Sequence, residues 1–426
     1  MKYALINPGW SFGGSVYFGC REPHLPLELG YSKSLLERAG HEAIIIDAQL
    51  EGLSNEDIRR RISDFNPDFK VITTAPSYLF WRCPPPEVKV PLELIKDLEG
   101  LGGKLVVIGP HGSTTPEHIL KKLGADIVVI GEPESILPVL GRGGLSEAPS
   151  IAYLAEGLVK VNLRQGTTDM ESLPALKWPD EMIKRHTHQH HRFGDELNGL
   201  GAEMETSRGC PYSCTFCAKN DFRNAFRKRP HAIVVQELDL LLEQGVEYIY
   251  FIDEIFMPDK TLLQEFEKRD FKFGIQTRID IWTHELIELL GKAGCVSVEC
   301  GIESISELGR SILNKKCNIS TDELVSLLKH AKKTIPFVQA TLLDSHVDSP
   351  EAIERWRQQL ILHGLWANKP VPLFPYPGSA EYEKRWGRPD EKAWERAHEY
   401  YLKINRSFSD IQDERPIPLN ELELIK

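Results

Sequence analysis

The chain has 426 residues, of which 41% are hydrophobic and eight are cysteine. That length allows two or three domains with sizeable cores, and the cysteines are too sparse for a disulfide-stapled scaffold. Sixty-two acidic against 51 basic residues leave a formal charge of −11, which opposes broad contact with a phosphate backbone and argues against a nucleic-acid partner. No apolar run approaches the ~20 residues of a membrane span, and the start "MKYALINPGW" lacks a secretory pattern. A soluble, cytoplasmic protein with reduced thiols and no membrane partner is therefore expected.

Residues 1–145 alternate apolar β-branched runs with helical patterns. "YALINP", "EAIIID", "KVITTA", "LVVIGP" and "DIVVIG" read as five strands; "LELGYSKSLLERAG", closed by Gly40, and "SNEDIRRRISDF", capped by Ser54, read as helices. This is the rhythm of a Rossmann-like parallel sheet, which binds ligands at the carboxyl ends of its strands. Those ends carry Asn7-Pro8-Gly9, Ala75-Pro76-Ser77 and Gly109-Pro110-His111-Gly112. The loop "SYLFWRCPPPEVKVP" from Ser77 to Pro91 is rich in aromatics, and reads either as a loop pinned by packing or as a wall for a large flat ligand.

Residues 146–200 lose periodicity and read as a linker or lid. Their histidines, His186, His188, His190 and His191, suit an exposed or substrate-lining segment better than a metal site. From 201 to 378 six strand-like runs ("AEMETSR", "YIYFID", "KFGIQTRID", "VSVECGIES", "FVQATLLD" and "KPVPLFP") alternate with helical patterns, giving a partial (βα)6 barrel. Residues 379–426 form a helical C-terminal extension, amphipathic and expected to cap the barrel.

Cys210, Cys214 and Cys217 follow the first strand of this second series, in the stretch "RGCPYSCTFC". A structural zinc site closes with four protein ligands, and C-x3-C-x2-C offers three with no second pair nearby. An iron–sulfur cube held by three thiolates keeps one iron open for another molecule. The basic run "KNDFRNAFRKRP" that follows reads as a solvated face or a seat for a small anionic group. Cys20, Cys83, Cys295, Cys300 and Cys317 have no regular spacing and read as buried small hydrophobes.

With Phe216 before its last cysteine, and placed after the first barrel strand, the motif resembles that of the radical S-adenosylmethionine (SAM) superfamily. The resemblance implies a 4Fe-4S cluster on Cys210, Cys214 and Cys217, SAM chelating the free iron, and a 5′-deoxyadenosyl radical as the oxidant. "FIDEIF" is similar to the F-x-D-D-x-F segment of the B12-associated branch and points to Asp253 and Glu254. "QTRID" places Arg278, and "ECGIES" places Glu303, at strand ends that contact SAM in similar enzymes; "FPYPGS" is similar to the branch's P-Y-P-G-T signature. One departure is "LLDSHVDSPEA", where relatives show a G-x-P-G-E-T-like turn.

The N-terminal sheet likewise resembles the cobalamin-binding domain of that branch. It lacks the D-x-H-x-x-G motif whose histidine coordinates cobalt, so the lower face of the corrin would meet Tyr78, Trp81 and Arg82. Gly109, His111 and Gly112 would line the nucleotide tail, with Asn7 and Ser77 as further strand-end contacts. The resemblance implies an enzyme that methylates an unactivated carbon of a small-molecule substrate, reduced by an external electron donor such as flavodoxin or ferredoxin. The alternatives are a radical rearrangement, ring contraction or oxidation with cobalamin passive or absent, and a non-catalytic metal or redox sensor. No residue is assigned to proton or hydrogen transfer.

Overall fold

The computed structural model describes residues 1–10, 23–77, 84–162, 167–186, 199–223 and 225–404. They fall into two compact units. The first gathers Met1–His186, Cys217–Ala225 and Pro375–Lys403; the second gathers Thr187–Phe216 and Phe226–Phe374.

The first unit is built on β1 (Lys2–Asn7), β2 (Glu42–Asp47), β3 (Phe69–Thr73), β4 (Lys104–Ile108) and β5 (Ile127–Val129). These pair in parallel in the order β2-β1-β3-β4-β5. All five β3 residues are buried, as a parallel sheet covered on both faces requires. Ile6, Ile72, Val107 and Val128 pack with Ile58, Ile62, Leu94, Ile119 and Leu123 from the helices. The helix Asn55–Phe65 starts at a capping box, Ser54 with Asp57, and stops at Asn66 in the left-handed region.

Two features differ from the sequence reading. Within the stretch expected to be a linker, β6 (Ile151–Ala155) and β7 (Leu158–Val161) form an antiparallel hairpin that extends the sheet past β5. Further along, Leu176 and Trp178 press on the helix Leu27–Arg38 so closely that a Cβ at Gly30 would fall 2.7 Å from Trp178. The C-terminal helix Ala393–Ile404 is amphipathic as expected, and it packs on the first unit. Trp394 is buried in the core of the first sheet, its Nε1 donates to Thr115 Oγ1 at 2.9 Å, and its ring lies 4.3 Å from that of His111. Periodicity shows that a helix has an apolar stripe, and says nothing about which of two sheets receives it.

In the second unit, β8 (Leu200–Met204) leads to β9 (Ser207–Arg208), which pairs antiparallel with β10 (Arg227–Lys228). The main sheet continues through β11 (Val246–Phe251), β12 (Lys272–Thr277), β13 (Cys295–Glu303), β14 (Phe337–Asp344) and β15 (Trp366–Ala367), with β16 (Val371–Pro372) also on β14. Its strands are all parallel, in the order β15-β14-β13-β12-β11-β8, with helices such as His231–Glu243 and Thr321–Ala331 between them. The first five expected strands of the arc are met by β8, β11, β12, β13 and β14; its sixth place is taken by β15, which the sequence pattern does not announce, and the expected "KPVPLFP" strand is the two-residue β16 beside β14. Phe251, Phe266, Phe271 and Phe273 interlock at centroid distances of 5.2–5.6 Å inside the arc. Among the described residues, no helix is long and apolar enough to cross a membrane.

Candidate functional site

In the second unit the carboxyl end of β8 leads directly into the cysteine loop, and the neighbouring strand ends hold that loop. Asp253, just past β11, accepts from Thr206 N at 2.8 Å, Thr206 Oγ1 at 2.5 Å and Ser207 Oγ at 2.6 Å. Burial pushes its carboxyl up to about 7, against the pull of those hydrogen bonds. Glu254 Oε2 accepts from Gly209 N at 2.9 Å, one residue before Cys210. Both acids thus brace the approach to the first cysteine.

From the other side, Thr215 N donates to Leu313 O at 3.0 Å and Asn314 Nδ2 donates to Ser213 O at 2.7 Å. These bonds bring Lys315 beside Cys214. Lys315 Nζ lies 2.6 Å from Glu303 Oε2, and its backbone oxygen accepts from Arg278 Nη1. Arg278 is further fixed by Asp280, at 2.6 and 3.1 Å, and lies over the Tyr212 ring at 3.8 Å from its centroid. Burial raises the Cys214 thiol, Lys315 lowers it, Glu303 raises it and Arg278 lowers it.

Glu303 ends β13 with φ +61°, in the left-handed region where a side chain is strained. Strain of this kind persists where the surroundings over-determine it, here at a register shift and an ion pair. Cys210, Cys214, Phe216 and Cys217 are all partly exposed. Among the described residues no three His, Cys, Asp or Glu side chains converge as a single-ion site. Two cations, Lys315 and Arg278, act on the middle cysteine, Cys214.

In the first unit the expected strand-end residues hydrogen-bond to other residues of the same unit. Asn7 donates to Asp47 Oδ1 at 2.8 Å and accepts from Trp10 Nε1 at 2.7 Å. Ser77 Oγ donates to Glu28 Oε2 at 2.5 Å. His111 is fully buried, with its ring nitrogens 3.0 Å from Thr74 Oγ1 and 2.8 Å from Pro85 O. Gly109 has φ +124°, open to glycine alone, and a Cβ on Gly112 would fall 2.4 Å from Val128 Cγ1. Small residues here set the approach of backbone to sheet. Tyr78, Trp81, Arg82, Cys20, Cys83, His188, His190 and His191 lie outside the described residues. His186 is described and fully buried, in the electrostatic field of Asp47.

With this geometry in place, the B12 binding domain model matches residues 20–141 and the radical SAM superfamily model matches residues 204–356. The chain carries a B12-binding domain followed by a radical SAM domain. The expected fold class, with the B12-binding domain ahead of the radical SAM domain, is met. An uncharacterized methyltransferase of Pyrococcus horikoshii is 26% identical over 349 residues, covering 78% of this chain and 72% of the relative. An anaerobic magnesium-protoporphyrin IX monomethyl ester cyclase of Cereibacter sphaeroides is 25% identical over 360 residues; this chain spans only 55% of that relative's length. The solved radical S-adenosylmethionine methyltransferase TsrM from Kitasatospora setae, with cobalamin and a 4Fe-4S cluster bound, shares the fold at a TM-score of 0.68 and 18% identity, over 89% of this chain and 73% of that one.

The two domains of this chain support all three expected cofactors: the cluster, SAM and cobalamin. Sequence reasoning missed Lys315 and Asp280. Asp280 had a local signal, two residues after Arg278. Lys315 had none, because only the loop contacts to Ser213 and Thr215 bring it to the cysteines. Within the basic run after the cysteines Lys219, Arg223 and Arg229 are buried, while Lys228 is exposed.

Proposed function

We propose that this protein is a cobalamin-dependent radical SAM enzyme that methylates an unactivated carbon of a small molecule. The observation that carries it is the braced three-cysteine loop with Lys315 and Glu303 beside Cys214, in a chain that also bears a B12-binding domain. When bound, the cluster with SAM supplies a 5′-deoxyadenosyl radical and methylcobalamin supplies a methyl group. Cys210, Cys214 and Cys217 would hold the cluster, and Asp253 and Glu254 fix the loop that presents them. Lys315 and Glu303 offer opposite charges side by side, matching the carboxylate and ammonium of the amino-acid end of SAM. Arg278, clamped by Asp280 and lying over Tyr212, holds the Lys315 backbone and so orients that pair. An external flavodoxin- or ferredoxin-like donor reduces the cluster.

A second reading is favoured by the likeness to the magnesium-protoporphyrin ester cyclase: the same radical begins an oxidative ring closure and no methyl is transferred. Product mass separates the two, because methylation adds one CH2 unit per transfer and oxidation removes hydrogen. The shared core is tested without a known substrate by following 5′-deoxyadenosine released from SAM by the reduced, reconstituted protein. Release is expected, and its absence despite a full iron complement would overturn both readings.

A further inference from the structure

The basic run after the third cysteine divides between the two units. Arg229 serves the second, donating to Glu205 O at 2.9 Å and to Glu237 Oε2 at 2.7 Å. Arg223 serves the first: its Nε faces Glu132 Oε1 at 4.0 Å, with both side chains about 1% exposed. Its charge also bears on Glu28, the partner of Ser77. Glu132 is fixed in turn by Thr168 N, which donates to its Oε2 at 2.7 Å, while Thr168 Oγ1 reaches Glu134 Oε2 at 3.5 Å. Buried carboxylates from a helix and from the turn after β5 thus gather around one guanidinium that the sheet itself does not supply.

The same short segment is pinned at a second point. Arg223 N donates to Lys219 O at 2.9 Å, closing a turn that carries Asp221. A Cβ on Gly378 would fall 2.7 Å from Asp221 Oδ2 and 3.4 Å from Thr114 Oγ1, and Gly378 has φ +93°. Only glycine lets the P-Y-P-G turn approach this closely. The segment so held begins at Cys217, whereas Cys210 and Cys214 belong to the second unit.

We propose that Arg223 is a positioning residue for the cluster: paired with Glu132, it anchors residues 217–225 to the first unit and thereby sets the Cys217 thiol, independently of the bonds that hold Cys210 and Cys214. The proposal rests on the cluster assignment above only for its consequence, since the anchoring itself can be read without iron. Lysine retains the charge of arginine but lacks the planar fork, so Arg223→Lys should restore part of what Arg223→Met loses.

The test is differential alkylation of the cluster-free full chain by iodoacetamide, with each cysteine quantified by peptide mass spectrometry, followed by iron release to a ferrous chelator after reconstitution. In Arg223→Met and in Glu132→Gln, Cys217 should react about tenfold faster relative to Cys210 and Cys214 than in the unaltered chain. Iron release should accelerate in the same variants, with Arg223→Lys intermediate in both measures. Glu132→Gln keeps the shape of the side chain and its acceptor for Thr168, so it carries the test if Arg223→Met does not fold. Unchanged alkylation ratios among the three cysteines would overturn the proposal. Failure of the unaltered chain to take up iron would instead overturn the cluster reading, with the alkylation result still standing for or against the anchor.

Discussion

Lys315 Nζ and Glu303 Oε2 lie 2.6 Å apart in a nearly buried ion pair beside Cys214, although Lys315 comes from a loop and Glu303 from the end of β13, where its backbone is strained. A buried pair left with one partner is strongly destabilising, so this one is expected to exchange its partners for those of a zwitterionic ligand. Lys315→Met should therefore weaken SAM binding by at least tenfold, about 1.4 kcal/mol, with iron content retained. Anaerobic equilibrium dialysis and iron analysis measure the two. Parallel loss of iron and SAM binding would place Lys315 in the folding of the cysteine loop instead.

Asp253 gives a pH dependence. Its carboxyl is pushed up to about 7 from the ordinary 3.8, chiefly by burial. Between those values the folded chain holds a proton that the unfolded chain has released, so this contribution to stability is present at low pH and lost as pH rises through 7. Glu28, also about 7, and Asp47, about 6, act in the same direction. The thermal midpoint of the apoprotein should rise as pH falls from 8 toward 6, and Asp253→Asn should flatten that slope. Asp253→Ala, which strands Thr206 N in a buried position, should cost about 1–3 kcal/mol by chemical denaturation.

The parallel strands of both units could be read from the sequence because strands buried on both faces show as continuous apolar runs. The β6–β7 hairpin could not: Ile151, Ala152 and Tyr153 are buried in succession while Leu154, Leu158 and Val161 are exposed, so no alternating pattern marks it. The three cysteines were legible because their spacing is local to the chain. Lys315 reaches the site through the fold, and Arg223 is spent on a carboxylate some ninety positions away, so neither had a signal along the chain. Asp253 and Glu254 were singled out for the cofactor, and their resolved hydrogen bonds go to the loop that carries Cys210.

The packing of the C-terminal helix on the first unit predicts a local effect of Trp394→Ala. That substitution removes a buried ring and its bond to Thr115, and should cost the first unit about 3–5 kcal/mol. Limited proteolysis should then cut within residues 380–404 before any cut in the second unit. Equal protection of that region in the variant and the unaltered chain would refute this placement.

Two ion pairs of similar length should differ sharply. Arg229 and Glu237, 2.7 Å apart, are buried, and Arg229→Met should cost about 3–5 kcal/mol because it removes one member of a buried pair. Lys260 and Glu285, 2.8 Å apart, are mostly exposed, and Lys260→Met should leave stability nearly unchanged. Denaturant titration of both variants, at low and high salt, measures the contrast.

The central claim is a 4Fe-4S cluster on Cys210, Cys214 and Cys217 with one iron open to SAM, and electron paramagnetic resonance of the reduced, anaerobically reconstituted protein tests it most directly. The account predicts one four-iron cluster per chain whose signal changes on adding SAM, and no cluster when the three cysteines are together replaced by alanine. A full cluster in the triple variant, a signal indifferent to SAM, or zinc as the only bound metal would contradict it.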